Sequence, residues 1–127
     1  MIDALFSQSN YVATKKMLDA TALRHEAIAS NLENIETPGY QRLDVASSFG
    51  TELQRAMSTQ NAAAIQQLKP SLTVDAKAVA ANRDGNSVQL ETELMELSQN
   101  TLAHTLETQL VTSQLLRLRL AITGRAS

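Results

Sequence analysis

The only imidazoles in this 127-residue chain are His25 and His104. A metal site would need further histidine or carboxylate neighbours three or four residues away on the same helix face. His104 has Glu107 three on and Asn100 four back, while Glu26, the carboxylate beside His25, is adjacent and faces elsewhere. Both histidines fall on apolar stripes, where a hydrogen-bonded core imidazole is the simpler reading. Cysteine is absent, so there is no disulfide and no thiolate ligand. No nucleophile sits in a glycine-flanked elbow. The four glycines, Gly39, Gly50, Gly85 and Gly124, form no phosphate-binding loop. Glu91, Glu93 and Glu96 read as a solvated helix face. These residues predict no catalytic group, no cofactor and no metal, and they point away from an enzyme.

Composition narrows the field further. The formal net charge is -2, with no block of like charge, which argues against a nucleic-acid-binding face. Two Phe, two Tyr and no Trp leave little aromatic area for a compact core. Leu, Ala, Val and Ile supply the apolar residues instead, and these suit helix-on-helix packing. No stretch approaches the roughly 18 apolar residues of a membrane span, so an integral membrane protein is not expected. Met1-Ile2-Asp3-Ala4-Leu5-Phe6 lacks the basic and apolar regions of a cleaved signal peptide.

The elements that must carry any function are helices. Residues from about Ser9 to Asn34 contain no Gly or Pro. Leu18, Ile28, Leu32 and Ile35 share one stripe with Tyr11, Thr14, Ala22 and His25. Pro38 pushes Thr37 out of the helical region, and Pro38-Gly39 fits the centre of a type II turn, with Gly39 at positive φ. From about Gln41 to Asn86 the chain is polar. Asp44 to Met57 holds at most a short helix, with Phe49 and Leu53 spaced i, i+4. Ser58 to Gln67 has little to bury, so ordering it does not repay its entropy cost. Leu72-Thr73-Val74 reads as a short extended piece and Asp84-Gly85-Asn86 as a turn.

Ser87 to Ile122 is again free of Gly and Pro. Leu90, Leu94, Leu97, Thr101, His104, Thr108, Val111, Leu115, Leu118 and Ile122 alternate steps of four and three, the seam spacing of a coiled coil. Such a helix is roughly 54 Å long. Asn86 with Gln89 resembles a capping box, and Gly124 suits the helix end. Met95, Leu102, Leu106, Leu110, Leu116 and Leu120 form a second apolar line. Two lines on one helix imply more than one packing partner, either within an ordinary bundle or on other subunits. The predicted fold is all-α: two long terminal helices forming an antiparallel coiled coil around a poorly ordered middle. The divisions are 1–40 (helix and turn), 41–86 (flexible segment with a possible short helix) and 87–127 (coiled-coil helix). The seam residues are Leu18, Ile28, Leu90, Leu94, Leu97, Val111, Leu115, Leu118 and Ile122.

The segment Ala29-Ser30-Asn31-Leu32-Glu33-Asn34-Ile35-Glu36-Thr37-Pro38-Gly39-Tyr40 resembles the N-terminal signature of the bacterial flagellar rod and hook proteins, A-x-N-L-A-N-x-x-T-P-G-Y. Ala29, Asn31, Leu32, Asn34, Thr37, Pro38, Gly39 and Tyr40 match. Glu33 stands where the family carries Ala, and is expected to face solvent or a neighbour's base. Asp84-Gly85-Asn86-Ser87-Val88 and Leu90-Glu91-x-Glu93 resemble the start of the C-terminal helix in the FlgB family of proximal rod proteins. FlgC is the nearest rival family.

The resemblance implies one D0-like unit built from both ends. It also implies export by the flagellar type III apparatus without a cleaved signal, and assembly in the periplasm into a hollow helical rod of the basal body. Neighbours would be copies of itself, FlgC-like rod proteins and the FliE-like adaptor. Asn31, Leu32, Asn34, Thr37, Pro38, Gly39 and Tyr40 would be the motif and assembly residues. The two asparagines serve either hydrogen bonds at the helix end or a subunit contact. A reading of a different class is a soluble helical adaptor or chaperone-like module holding one partner helix in the same amphipathic faces.

Overall fold

The structure, a computed structural model, describes residues 8–79 and 82–124. The signal-peptide reading of Met1 to Phe6 and the outermost residues of the two terminal divisions lie outside them. The element order is α1 (Gln8–Glu33), β1 (Leu43–Val45), α2 (Ser48–Ser58), α3 (Ala62–Gln67), β2 (Leu72–Val74) and α4 (Leu90–Thr123). The chain is mainly helical, as its composition implies. The departure from an all-α fold is the antiparallel pair β1–β2, in the register Leu43↔Val74, Asp44↔Thr73 and Val45↔Leu72.

The hydrophobic core does not lie between the two long helices. Val12, Ala13 and Ala20 of α1 pack with Val45 of β1, Phe49 and Leu53 of α2 and Ile65 of α3. The middle segment thus supplies more than half of this cluster. Its i, i+4 pair, Phe49 and Leu53, is buried as the spacing implies. The polar stretch before Gln67 also takes regular structure, unlike the sequence expectation. Asn61 accepts hydrogen bonds from the backbone N–H groups of Ala63 and Ala64, which satisfies donors that a short helix otherwise exposes. Ile65, its single large apolar side chain, is fully buried, so one residue anchors the whole turn.

Helices α1 and α4 run antiparallel. Asn31 bonds Glu93, and Thr21 bonds both Asn100 and Glu107, so position along one helix falls as the other rises. At 34 residues, α4 is about 51 Å long. Gly124 ends it in the left-handed conformation, with its N–H donating to the Leu120 carbonyl at 2.8 Å. The start differs from the capping-box expectation. Gln89 holds the N-cap position without a side-chain bond to the helix backbone, and Asn86 is used elsewhere.

The turn after α1 follows the sequence reading. Tyr40 N–H donates to the Thr37 carbonyl at 3.2 Å, and Gly39 sits at φ +72°. A Cβ on Gly39 would meet nothing within 4 Å, so a substitution there is penalised by backbone strain alone. Gly39→Val is expected to lower stability by about 1–3 kcal/mol. Urea unfolding measures this, and an unchanged midpoint would remove the claim.

Candidate functional site

The turn segment becomes a closed set of polar contacts. Asn31 lies on the last turn of α1 and is fully buried. Its Nδ2 donates to the Leu43 carbonyl at 2.9 Å and to Glu93 Oε2 at 3.2 Å. Its Oδ1 accepts from Leu43 N–H at 2.9 Å and from Tyr40 Oη at 3.2 Å. A single amide thereby pairs with the edge of β1 as another strand would. Tyr40 Oη also lies 2.9 Å from Ser30 Oγ. Asn34 Nδ2 donates to the Ser30 carbonyl, and its Oδ1 accepts from Thr37 Oγ1. Of the two roles open to the asparagines, the hydrogen bonds seen are within the chain. Leu32 is half-buried, and Glu33, Thr37, Pro38 and Gly39 are exposed.

Asn86 locks this corner from the other end of the sequence. Its Nδ2 lies 2.8, 3.2 and 2.8 Å from the carbonyl oxygens of Asn34, Ile35 and Thr37. These carbonyls belong to the turn that follows α1, where those of Asn34 and Thr37 also accept from the N–H groups of Thr37 and Tyr40. Its Oδ1 accepts from Val88 N–H at 2.7 Å. Asn86 therefore pins the turn after the first helix, where the sequence suggests it begins the last. Gly39 N–H donates to the Asp84 carbonyl at 2.8 Å, so the two turn motifs are bonded directly.

An ion network lies beneath the corner. Arg42, on the approach to β1, donates from Nε to Glu93 Oε1 and from Nη1 to Asp75 Oδ2 at 2.8 Å. Asp44 joins it at 3.5 Å and is held in turn by Arg24 at 3.1 Å. Glu93 is fully buried, which corrects its assignment to a solvated face: the carboxylate points inward because Arg42 and Asn31 meet both its oxygens. Burial alone would lower the Arg42 pKa, but Glu93, Asp44 and Asp75 outweigh it and raise the value. Sequence reasoning missed Arg42 and Asp75. The only local signal was a lone arginine just after the motif, because its partners are 33 and 51 residues away.

Along α4 the two kinds of side chain exchange places. The only residues that α4 buries fully are Glu93 and Asn100. Glu107 and Gln114 follow at the same seven-residue spacing on the side that meets α1, each partly buried. Leu90, Leu94, Leu115, Leu118 and Ile122 of the expected seam are exposed, and Leu97 and Val111 are half-buried. On α1, Ile28 is buried and Leu18 half-buried. The second line is open too, with Leu102 62% and Leu106 57% exposed, beside Met95, Leu110 and Leu116. Two rows of leucine therefore flank a polar seam.

Burial raises the Glu107 pKa, while Thr21 Oγ1, His104 and Arg24 act to lower it. A carboxyl whose folded pKa is raised supports the fold at acid pH and loses that support as pH climbs through the folded value. Glu107→Gln is thus expected to gain stability relative to the parent as pH rises from 4 to 7. Paired thermal melts across that range measure the gain, and parallel curves would refute it.

Among the described residues, no group of three or more His, Cys, Asp or Glu side chains is placed to hold a metal. His25 and His104, expected on core seams, are exposed and line one shallow groove between α1 and α4. Nor is any described helix long and apolar enough to cross a membrane. What the site offers is a rigid polar corner that aims an apolar helix outward.

No protein-family model matches the chain. Curated relatives from diverse bacteria do match it, and each is named flagellar basal body rod protein FlgB. The Aquifex aeolicus protein is 30% identical over 114 residues, 88% of this chain and 91% of its own length. The Cereibacter sphaeroides protein is 31% identical over 109 residues, covering 80% and 84%. The Borrelia hermsii protein is 29% identical over 113 residues, covering 75% and 82%. These names favour FlgB over FlgC.

Proposed function

Because the chain belongs to the FlgB family of flagellar basal body rod proteins, we propose that α4 is the surface through which it builds the rod. The protein is a structural component of the flagellar basal body rod. The observation that carries the finer reading is the inversion along α4, with polar residues toward α1 and leucines toward solvent. A lone chain gains nothing from two exposed leucine rows, and contiguous exposed apolar surface marks an interaction site. Packing the rows against neighbouring copies removes them from water at about 25 cal/mol per Å².

In this reading the terminal divisions, 1–40 and 87–127, act as one D0-like unit whose helices enter coiled-coil packing between subunits. Residues 41–86 are the spacer that carries the core. Assembly yields a hollow helical tube in the periplasm after type III export without a cleaved signal. FlgC-like rod proteins and a FliE-like adaptor are its neighbours, and the role is structural, not catalytic.

The test is a strain lacking its own FlgB, supplied with this gene. Restored motility and complete basal bodies are the expected result. Bodies that end at the export platform despite normal protein levels would reject the reading.

A further inference from the structure

The polar seam of α4 weakens step by step away from the corner. Glu93 is held by Arg42 and Asn31. Asn100, 4% exposed, donates from Nδ2 to the Thr21 carbonyl at 2.8 Å. That bond fixes the amide orientation, so Oδ1 is the atom left over, and it is buried without a partner. Glu107 keeps one bond, from Thr21 Oγ1 at 3.0 Å. Gln114 Oε1 is buried with no partner at all. These two orphaned acceptors are the only such side-chain atoms among the described residues, and both fall on this one seven-residue ladder. A buried acceptor without a donor opposes the packing that encloses it.

We propose that the ladder is a graded fastener: locked at Glu93, and under-bonded at Asn100 and Gln114 so that α4 beyond about residue 100 can lift from α1. The lifted arm offers its freed seam face, beside the leucine rows already open to solvent, to a second copy of this chain. The inference rests on the rod reading, which supplies that second copy. Leucine at the rungs would give a tighter hairpin, yet the chain keeps them polar. Polar residues at seam positions lower pairing strength while preserving alignment. The corner already sets alignment through Asn31, Asn86 and Arg42, so the distal rungs are left to set how readily the pair opens.

Hydrogen exchange on the intact chain tests this. In the parent, amides of 101–123 are expected to exchange faster than those of 91–99. Asn100→Leu with Gln114→Met, near-isosteric changes that remove both orphans, should slow 101–123 by about tenfold or more, raise the melting temperature and impair rod building in the complemented strain. Gln114→Met alone, which breaks no bond seen in the structure, gives the same direction more weakly and serves if the double variant packs poorly. Unchanged or faster exchange would overturn the proposal, as would slowed exchange with full motility. Failure of the parent gene to complement would reject the rod reading and leave the exchange result standing.

Discussion

Arg42→Ala is expected to lower folding stability by about 3–5 kcal/mol, the loss that follows when one member of a buried pair is removed and its partner's charge stays enclosed. Glu93 is fully buried, and the Arg42 side chain is 7% exposed. Without the guanidinium, Glu93 keeps only the Asn31 amide. Asp75 loses its cation at the same time, while Asp44 keeps Arg24, so one truncation leaves two carboxylates without a cation. Replacing both partners together, Arg42→Met with Glu93→Met, should recover much of the loss, because no lone charge remains. Urea unfolding of Arg42→Met, Glu93→Met and the double forms a complete cycle. A double variant no better than Arg42→Ala would mean that the pair does not act as a unit.

The second large effect is expected at Asn31. Its amide satisfies both the N–H and the carbonyl of Leu43 and reaches Glu93 and Tyr40 as well. Asn31→Ala strands these groups around a buried position and should lower stability by about 2–4 kcal/mol. Asn34, whose bonds are to Ser30 and Thr37 on the rim of the corner, should lose under about 1.5 kcal/mol on the same change. The comparison separates an asparagine that joins three elements from one that finishes a helix. Equal losses at the two positions would show that the joint across β1 carries no special weight.

The helices, the turn and the Phe49–Leu53 pair were legible because each depends on neighbours in sequence. Residues 9–34 and 87–122 lack helix breakers, Pro38-Gly39 prescribes its own φ, and Phe49 with Leu53 falls on one face. The family signature was legible for the same reason, since eight of its residues lie within twelve positions. The orientation of α4 was not. Heptad spacing shows that a stripe exists, but it does not say whether the stripe meets its own chain or another. In α4 the polar line Glu93, Asn100, Glu107 and Gln114 has the same seven-residue period as the leucines, and long-range partners chose it as the inner face. Those partners, Arg42 and Thr21 above all, sit 51 or more residues away. Asn86 was misread on similar grounds: its hydrogen-bonding chemistry was evident, but which turn it holds depended on the fold. The middle segment was underestimated because one isoleucine, Ile65, looked too little to order a turn that Asn61 also caps.

The central claim is that exposed leucines on α4 build the rod while the polar corner holds the fold. Leu102→Glu with Leu106→Glu, introduced into the complementing gene, tests it most directly. Both side chains are mostly solvated in the lone chain, so the purified variant should melt within about 2 °C of the parent. In cells the account predicts immotile bacteria whose isolated basal bodies lack a complete rod. Motile cells with full-length rods would contradict it.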